Sequence, residues 1–220
     1  MPAVRSGGRS GRWPLPYQPA QRELQDRFDT RRLADRLDPG TSDTITPNLK
    51  DFIEARELFF LATVDADGRP QCSHKGGDPG FVRVLDEHTI AFPLHDGNGM
   101  FLSAGNILSG SAVGLLFVDL EGGSRLRLNG DATVADDDPL LASFPGAVLV
   151  VRVRARAVFA NCRRYVHHYQ RVERSPFVPT PEGEAPVPDW KRDPYFDGSL
   201  PAGDPANDPD NPDAAAMPEF

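Results

Sequence analysis

The stretch Leu58-Phe59-Phe60-Leu61-Ala62-Thr63-Val64-Asp65-Ala66-Asp67-Gly68-Arg69-Pro70 decides the fold class. Its first seven residues are a nearly continuous apolar run, which suits a short strand buried on both faces. Asp65 to Arg69 is a turn cluster, and Asp-Gly between two runs is a strong hairpin signal. Pro70 to Lys75 then returns as a second strand. The same strand–turn–strand pattern recurs outward. After a break at Gly76-Gly77-Asp78-Pro79-Gly80, Phe81–Leu85 and Thr89–Leu94 pair around Asp86-Glu87. Ala112–Leu120 and Arg125–Val134 pair around Glu121-Gly122-Gly123-Ser124, and Ala147–Phe159 is the last strand. In that last strand Leu149, Val151, Val153 and Ala155 alternate with Val150, Arg152, Arg154 and Arg156, so one face is apolar and the other largely basic. Roughly six strands joined by hairpins, without alternating βαβ units, argue for a small closed or half-closed antiparallel barrel, with a sandwich as its rival.

Helices are expected around the barrel. Gln18 to Leu37 reads as helical, with Leu24, Phe28, Leu33 and Leu37 on one stripe and Pro39-Gly40 ending it. Thr46-Pro47 reads as a cap before a short helix from Asn48 to Arg56, with Leu49, Phe52 and Ile53 inward. Met100 to Leu108 is a further helix with Met100, Phe101, Ala104, Ile107 and Leu108 as its apolar set. Asn161 is placed to cap a final helix through Arg171.

The 220 residues (24.1 kDa) fit one domain or at most two small ones, and 39% hydrophobic residues allow a packed core. The net charge of −8 is not spread evenly. Residues 176–220 hold 10 acids, 2 bases and 11 of the 22 prolines, while the rest carries 22 acids and 22 bases. A neutral body excludes a basic nucleic-acid-binding surface. No apolar run reaches about 18 residues, so no membrane span is expected. Arg5, Arg9 and Arg12 have no apolar stretch behind them, so no secretory signal is expected. Cys72 and Cys162 are too few for a disulfide framework and suit a reducing cytoplasm. The expected organisation is a disordered arm over residues 1–17, the barrel domain with its helices over 18–175, and a Pro/Asp-rich acidic tail over 176–220. That tail is expected to dock in part around Trp190, with Tyr195 and Phe196.

Three segments carry candidate chemistry. In Ser73-His74-Lys75-Gly76-Gly77-Asp78-Pro79-Gly80-Phe81, Lys75 is the one lysine between Lys50 and Lys191. Ser73 shares its strand face, and a hydroxyl beside an ammonium suits a phosphate. The two glycines allow main-chain N–H groups to approach an anion. In His95-Asp96-Gly97-Asn98-Gly99-Met100, two glycines and an Asn precede a helix and leave N–H donors for a phosphate or ring carbonyl. In Ser124-Arg125-Leu126-Arg127-Leu128-Asn129-Gly130, Arg125, Arg127 and Asn129 share one face, which becomes a site when a second segment or subunit covers it. Read locally, the three are more simply an ordinary hairpin, a capped loop and a solvated strand face. Nothing matches a dinucleotide Gly-x-Gly-x-x-Gly, a phosphate loop, or a Gly-x-Ser-x-Gly elbow. Cys72, His74, Cys162, His167 and His168 include metal-ligand types without zinc spacing, so no metal is expected.

Together the segments resemble the pyridoxamine 5′-phosphate oxidase-related, FMN-binding split-barrel family. The resemblance runs through Asp65–Pro70, Ser73–Val84, Leu94–Met100, Gly105-Asn106-Ile107, Val113–Asp119 and Arg125–Gly130. Gln25–Thr30 and Pro188-Asp189-Trp190-Lys191 resemble one bacterial branch. There is a departure at Asn161-Cys162-Arg163-Arg164-Tyr165-Val166, where that branch has proline after the cysteine. The longer basic motif and the C-terminal arginine–tryptophan signature of the oxidases proper are absent, so the resemblance implies a flavin-binding fold more than vitamin B6 oxidation. It implies a mainly β, six-stranded Greek-key split barrel with flanking helices, working as a homodimer with FMN in the cleft between subunits. By carry-over, the cofactor-binding residues are Ser73, His74, Lys75, Gly76, Phe92, Pro93, Leu94, Asn98, Gly99, Met100, Arg125 and Arg127. Ser73, Lys75 and an arginine would cradle the phosphate, Phe92-Pro93-Leu94 would border the isoalloxazine, and Asn98–Met100 would lie at the ribityl or phosphate side. The expected function is an FMN-dependent oxidoreductase of a small molecule, with no catalytic residue singled out. The alternatives are a non-catalytic flavin binder, or a split barrel that uses haem or the deazaflavin F420.

Overall fold

A computed structural model describes residues 17–37, 42–208, 211 and 214–215. The arm expected over residues 1–17, apart from Tyr17, and the helix stop expected at Pro39-Gly40 lie outside them. Seven strands share one antiparallel sheet: β1 (Leu58–Val64), β2 (Pro70–Gly76), β3 (Arg83–Asp86), β4 (Thr89–His95), β5 (Ala112–Val118), β6 (Arg125–Ala135) and β7 (Ala147–Asn161). Their order is β2-β1-β5-β6-β7-β4-β3. The architecture is the mainly β, helix-flanked split barrel expected; its seven strands are the seven segments read from the sequence, one more than the rough total of six. Its end strands β2 and β3 do not pair, so the sheet is not closed.

The hairpin at the opening stretch forms in register, with Val64 opposite Pro70 and Leu58 opposite Gly76. Asp65 fixes the turn by accepting from the Asp67 and Arg69 amides at 2.9 and 2.8 Å. Alternation along β1 sends Phe59, Leu61 and Thr63 inward, all nearly inaccessible. There Phe59 meets Phe92 and Phe117 with ring centroids 4.9 and 5.2 Å apart, and Leu115, Leu128 and Val153 fill the same core. The opposite face of β1 was expected to be buried as well. In one copy of the chain it is open, with Phe60 39% and Val64 44% exposed.

Three helical expectations need correction. The Gln18–Leu37 helix is two, α1 (Pro19–Arg27) and α2 (Arg31–Arg36), broken where Asp29 takes a left-handed φ of 51°. The two pack as a hairpin through Arg22–Asp35 at 2.6 Å, and the stripe of Leu24, Phe28, Leu33 and Leu37 faces solvent. α3 (Pro47–Glu54) forms with Pro47 at its first position and Ile53 inaccessible, though the Thr46 side chain makes no cap bond. α4 (Leu102–Ser109) starts later than expected, so Met100 and Phe101 are exposed and Ala104 and Ile107 alone of the apolar set are buried. The helix expected after Asn161 does not form. Asn161 ends β7, and residues 162–175 run as an irregular strap with Tyr165, Tyr169 and Val172 exposed. The strap is held by inter-segment bonds in place of an apolar stripe: Tyr169 N–H to Leu120 O at 3.0 Å, and Arg174 to Asp78 at 2.8 Å.

Beyond the strap, Val187 is buried, and Trp190 meets Phe196 edge-on at 5.2 Å. Val187–Pro188 pairs in parallel with Ala214–Ala215.

Candidate functional site

Ser73 and Lys75 face the core side of β2, because their cross-strand partners are Leu61 and Phe59. His74 and Cys72 face outward, opposite Phe60 and Ala62. α4 packs on β1 and brings its first turn to the Ser73 side, where Ser73 Oγ lies 3.0 Å from Ser103 Oγ. Deeper in the helix, Asn106 is buried and donates to Thr63 Oγ1 at 2.9 Å and to Gln71 Oε1 at 3.0 Å, which ties α4 to both strands of the hairpin. The free N–H groups at the start of α4 therefore open beside two hydroxyls. Reading the sequence missed Ser103. Its signal was a hydroxyl in the first helical turn after a glycine-rich loop.

Lys75 lies along the strand from this cluster, two residues or about 7 Å beyond Ser73. It is half-buried, and burial pushes its pKa down with no carboxylate among the described residues to offset it. His74 is pushed down as well, first by burial and then by the Lys75 charge. One expectation fails here: Gly77 offers no free amide, since its N–H donates to Glu57 O at 3.0 Å. Glycine is needed at that position for space. A Cβ on Gly77 would lie 2.7 Å from the Phe81 side chain.

The loop before α4 is exposed at Asn98, Gly99 and Met100. Asn98 Oδ1 accepts from the Met100 amide at 3.1 Å, and Phe101, the last residue before the helix, holds a left-handed φ of 48°. That conformation is costly for a bulky residue and persists only where its surroundings hold it.

Phe92 and Leu94 were expected at the flavin ring. Both side chains point into the core, and Phe92 is inaccessible against Phe59, so neither presents a side chain to a ligand. Pro93 and His95 point to the other side of β4. There they line a groove of about 330 Å³ with Arg83, Phe144 and Val178–Pro181, and His95 Nδ1 is buried without a hydrogen-bond partner.

Arg125 and Arg127 lie on the outer face of β6. Arg127 pairs with Leu116, which pairs in turn with the outward Phe60. Arg127 is exposed, stacks over Phe159 at 5.6 Å and has no ion-pair partner among the described residues. Arg125 donates to Cys162 O, while its Nε and the Oδ1 of its cross-strand neighbour Asn161 are buried and unpartnered. Three strand steps separate β2 from β6, on the order of 14 Å along the sheet. Within one chain, the arginines and the Ser73–Lys75 pair therefore lie on opposite faces and do not meet.

A wider cleft of about 740 Å³ runs past His74 and Gly76 under the strap. Its cations are already paired: Arg56 with Asp119 at 3.1 Å, Arg174 with Asp78, and Arg171 with Glu57. Among the described residues, no three His, Cys, Asp or Glu side chains gather to hold a metal ion. No helix among them is long and apolar enough to cross a membrane.

The family model described as pyridoxamine 5′-phosphate oxidase matches residues 45–176, more than half of the chain. Curated protein sequences give no match. Among solved structures, a putative pyridoxamine 5′-phosphate oxidase from Lactobacillus delbrueckii is 30% identical over 54% of this chain and 96% of its own, with a TM-score of 0.43. HupZ from Group A Streptococcus is 22% identical over 57% and 99%, with a TM-score of 0.45. The haem storage protein HutZ from Vibrio cholerae is 20% identical over 53% and 94%, with a TM-score of 0.38.

Proposed function

The chain belongs to the pyridoxamine 5′-phosphate oxidase family, and on that premise we propose that it is an FMN-dependent oxidoreductase of a small molecule, with the flavin held between two copies of the chain. The observation that carries this reading is Lys75, a half-buried ammonium with no carboxylate to meet it. Such a charge costs stability unless an anion offsets it. A phosphate fits the rest of the cluster: hydroxyls on Ser73 and Ser103, and the N–H groups of the first turn of α4.

The flavin, when bound, supplies hydride or electron transfer through its N5. The protein's part is orientation and charge. Lys75, Ser73 and Ser103 would hold the phosphate. Asn98, Gly99 and Met100 would lie at the ribityl or phosphate side, with His74 and Gly76 flanking Lys75. Arg127, or Arg125, from a second copy would offset negative charge on the ring. A second copy is needed because one chain keeps its arginines on the face away from Lys75. The open apolar side of β1, with Phe60 and Val64, is the surface it would cover, and its Arg127 would reach Lys75 round the free edge of β2, the end strand of the sheet. Exposed Cys72 and Cys162, both free thiols, suit a cytoplasmic setting.

The absorption spectrum of the purified protein tests the reading. Yellow protein that releases FMN on denaturation is expected. Colourless protein that also ignores added FMN overturns it, and a Soret band replaces flavin by haem. Bound flavin that neither accepts electrons from a nicotinamide donor nor reoxidises in air reduces the protein to a binder.

A further inference from the structure

Among the described residues, Lys191 is the one charged residue that is buried as a whole, 6% exposed. It lies in a single helical turn, Asp189–Arg192, just after the buried Val187. Its ammonium has two carboxylate partners with different surroundings. Asp204, 2.7 Å away, belongs to the same C-terminal segment, and its side chain is 5% exposed. Asp96, whose side chain is 64% exposed, is the first residue after β4. Burial works against the Lys191 charge, but hydrogen bonds to Asp204 and Asp96 outweigh it and hold its pKa above the ordinary lysine value.

Asp96 opens the loop that runs through Gly97, Asn98, Gly99 and Met100 to Phe101 and α4. Two glycines in six residues give that loop many alternative conformations. Its last residue is held in the left-handed region, which needs support from outside the loop. The Lys191–Asp96 bond joins residues 95 apart in sequence and supplies a fixed point at the loop's start. The Lys191–Asp204 bond anchors that point within the docked C-terminal segment.

We propose that Lys191 is a positioning residue: through Asp96 it latches the C-terminal segment onto the Asp96–Phe101 loop and keeps Asn98–Met100 and the first turn of α4 in their binding arrangement. The proposal rests on the reading of that loop as part of the cofactor site.

Amide hydrogen exchange on the full-length chain without cofactor tests it, alongside titration with FMN. In Lys191→Met, exchange at the hydrogen-bonded amides of Met100 and Gly105 rises by at least roughly tenfold, while β5 and β6 keep their protection. Lys191→Met also leaves the Asp204 side chain buried without its cation, so Asp96→Ala is the cleaner variant. It removes the acceptor at the loop's start and leaves the Lys191–Asp204 pair in place. Faster exchange at those two amides with unchanged exchange at residues 187–208 is the expected result for Asp96→Ala, together with weaker FMN binding. Exchange there equal to wild type in Asp96→Ala overturns the latch. If the loop responds but wild-type protein does not bind FMN, the latch stands and the cofactor reading fails. If FMN binds and the loop is indifferent to both substitutions, the cofactor reading stands without the latch.

Discussion

At the scale of single residues, Lys75 combines a cost to the empty protein with a use in the occupied one. Its ammonium is half-buried and unpaired, so Lys75→Met is expected to raise the melting temperature of the cofactor-free protein while weakening FMN binding. A charge-assisted contact to phosphate contributes on the order of 1.5–3 kcal/mol, about one to two orders of magnitude in affinity. Calorimetric titration with FMN and a thermal melt on the same sample check both halves. The pH dependence follows from the direction of the shift. The folded pKa lies below the ordinary value of 10.5, so in the window just under 10.5 the unfolded chain binds more protons than the folded one. Stability of the empty protein from this group therefore rises with pH through that window, and phosphate affinity falls as Lys75 loses its proton. Lys75 was legible in the sequence as an isolated lysine at a strand end. Ser103 was not, because its partner Ser73 is 30 residues away and joins it only when α4 packs on β1.

At the scale of elements, the hairpins were readable because turn chemistry and alternation are local. Asp65 to Arg69 closes through its own side chains, and the register of β1 with β2 follows from it. The helices were less so. Leu24, Phe28, Leu33 and Leu37 carry a helical period, yet Asp29 breaks the helix and the stripe has no core to meet within the described residues. Residues 162–175 take their shape from distant partners such as Leu120 and Asp78, which no local pattern announces. Gly130 is a similar case. At the bulge between Asn129 and Gly130, β6 comes so close to β7 that a Cβ on Gly130 would stand 2.3 Å from Arg154 O. Backbone cannot move aside as a flexible side chain does, so Gly130→Ala is expected to destabilise the fold by on the order of 1–3 kcal/mol. Urea unfolding should show a lower midpoint at an unchanged slope.

At the scale of the whole molecule, the two halves of the candidate site lie on opposite faces of the sheet. Ser73 and Lys75 face the α4 side, while Arg127 shares the outer face with Phe60. If a second copy covers that outer face, Phe60→Asp should give a folded monomer with little flavin, as read by light scattering and absorption with circular dichroism as the control for folding. Cross-subunit sharing has a sharper consequence. A Lys75→Met chain still offers Arg127, and an Arg127→Met chain still offers Lys75. Unfolded together and refolded, the two form some mixed dimers in which one of the two sites is whole. The flavin bound per chain by that mixture is the deciding measurement: each variant alone should be nearly flavin-free and the mixture should regain bound FMN, whereas a mixture as empty as its parents would contradict a site shared between two copies.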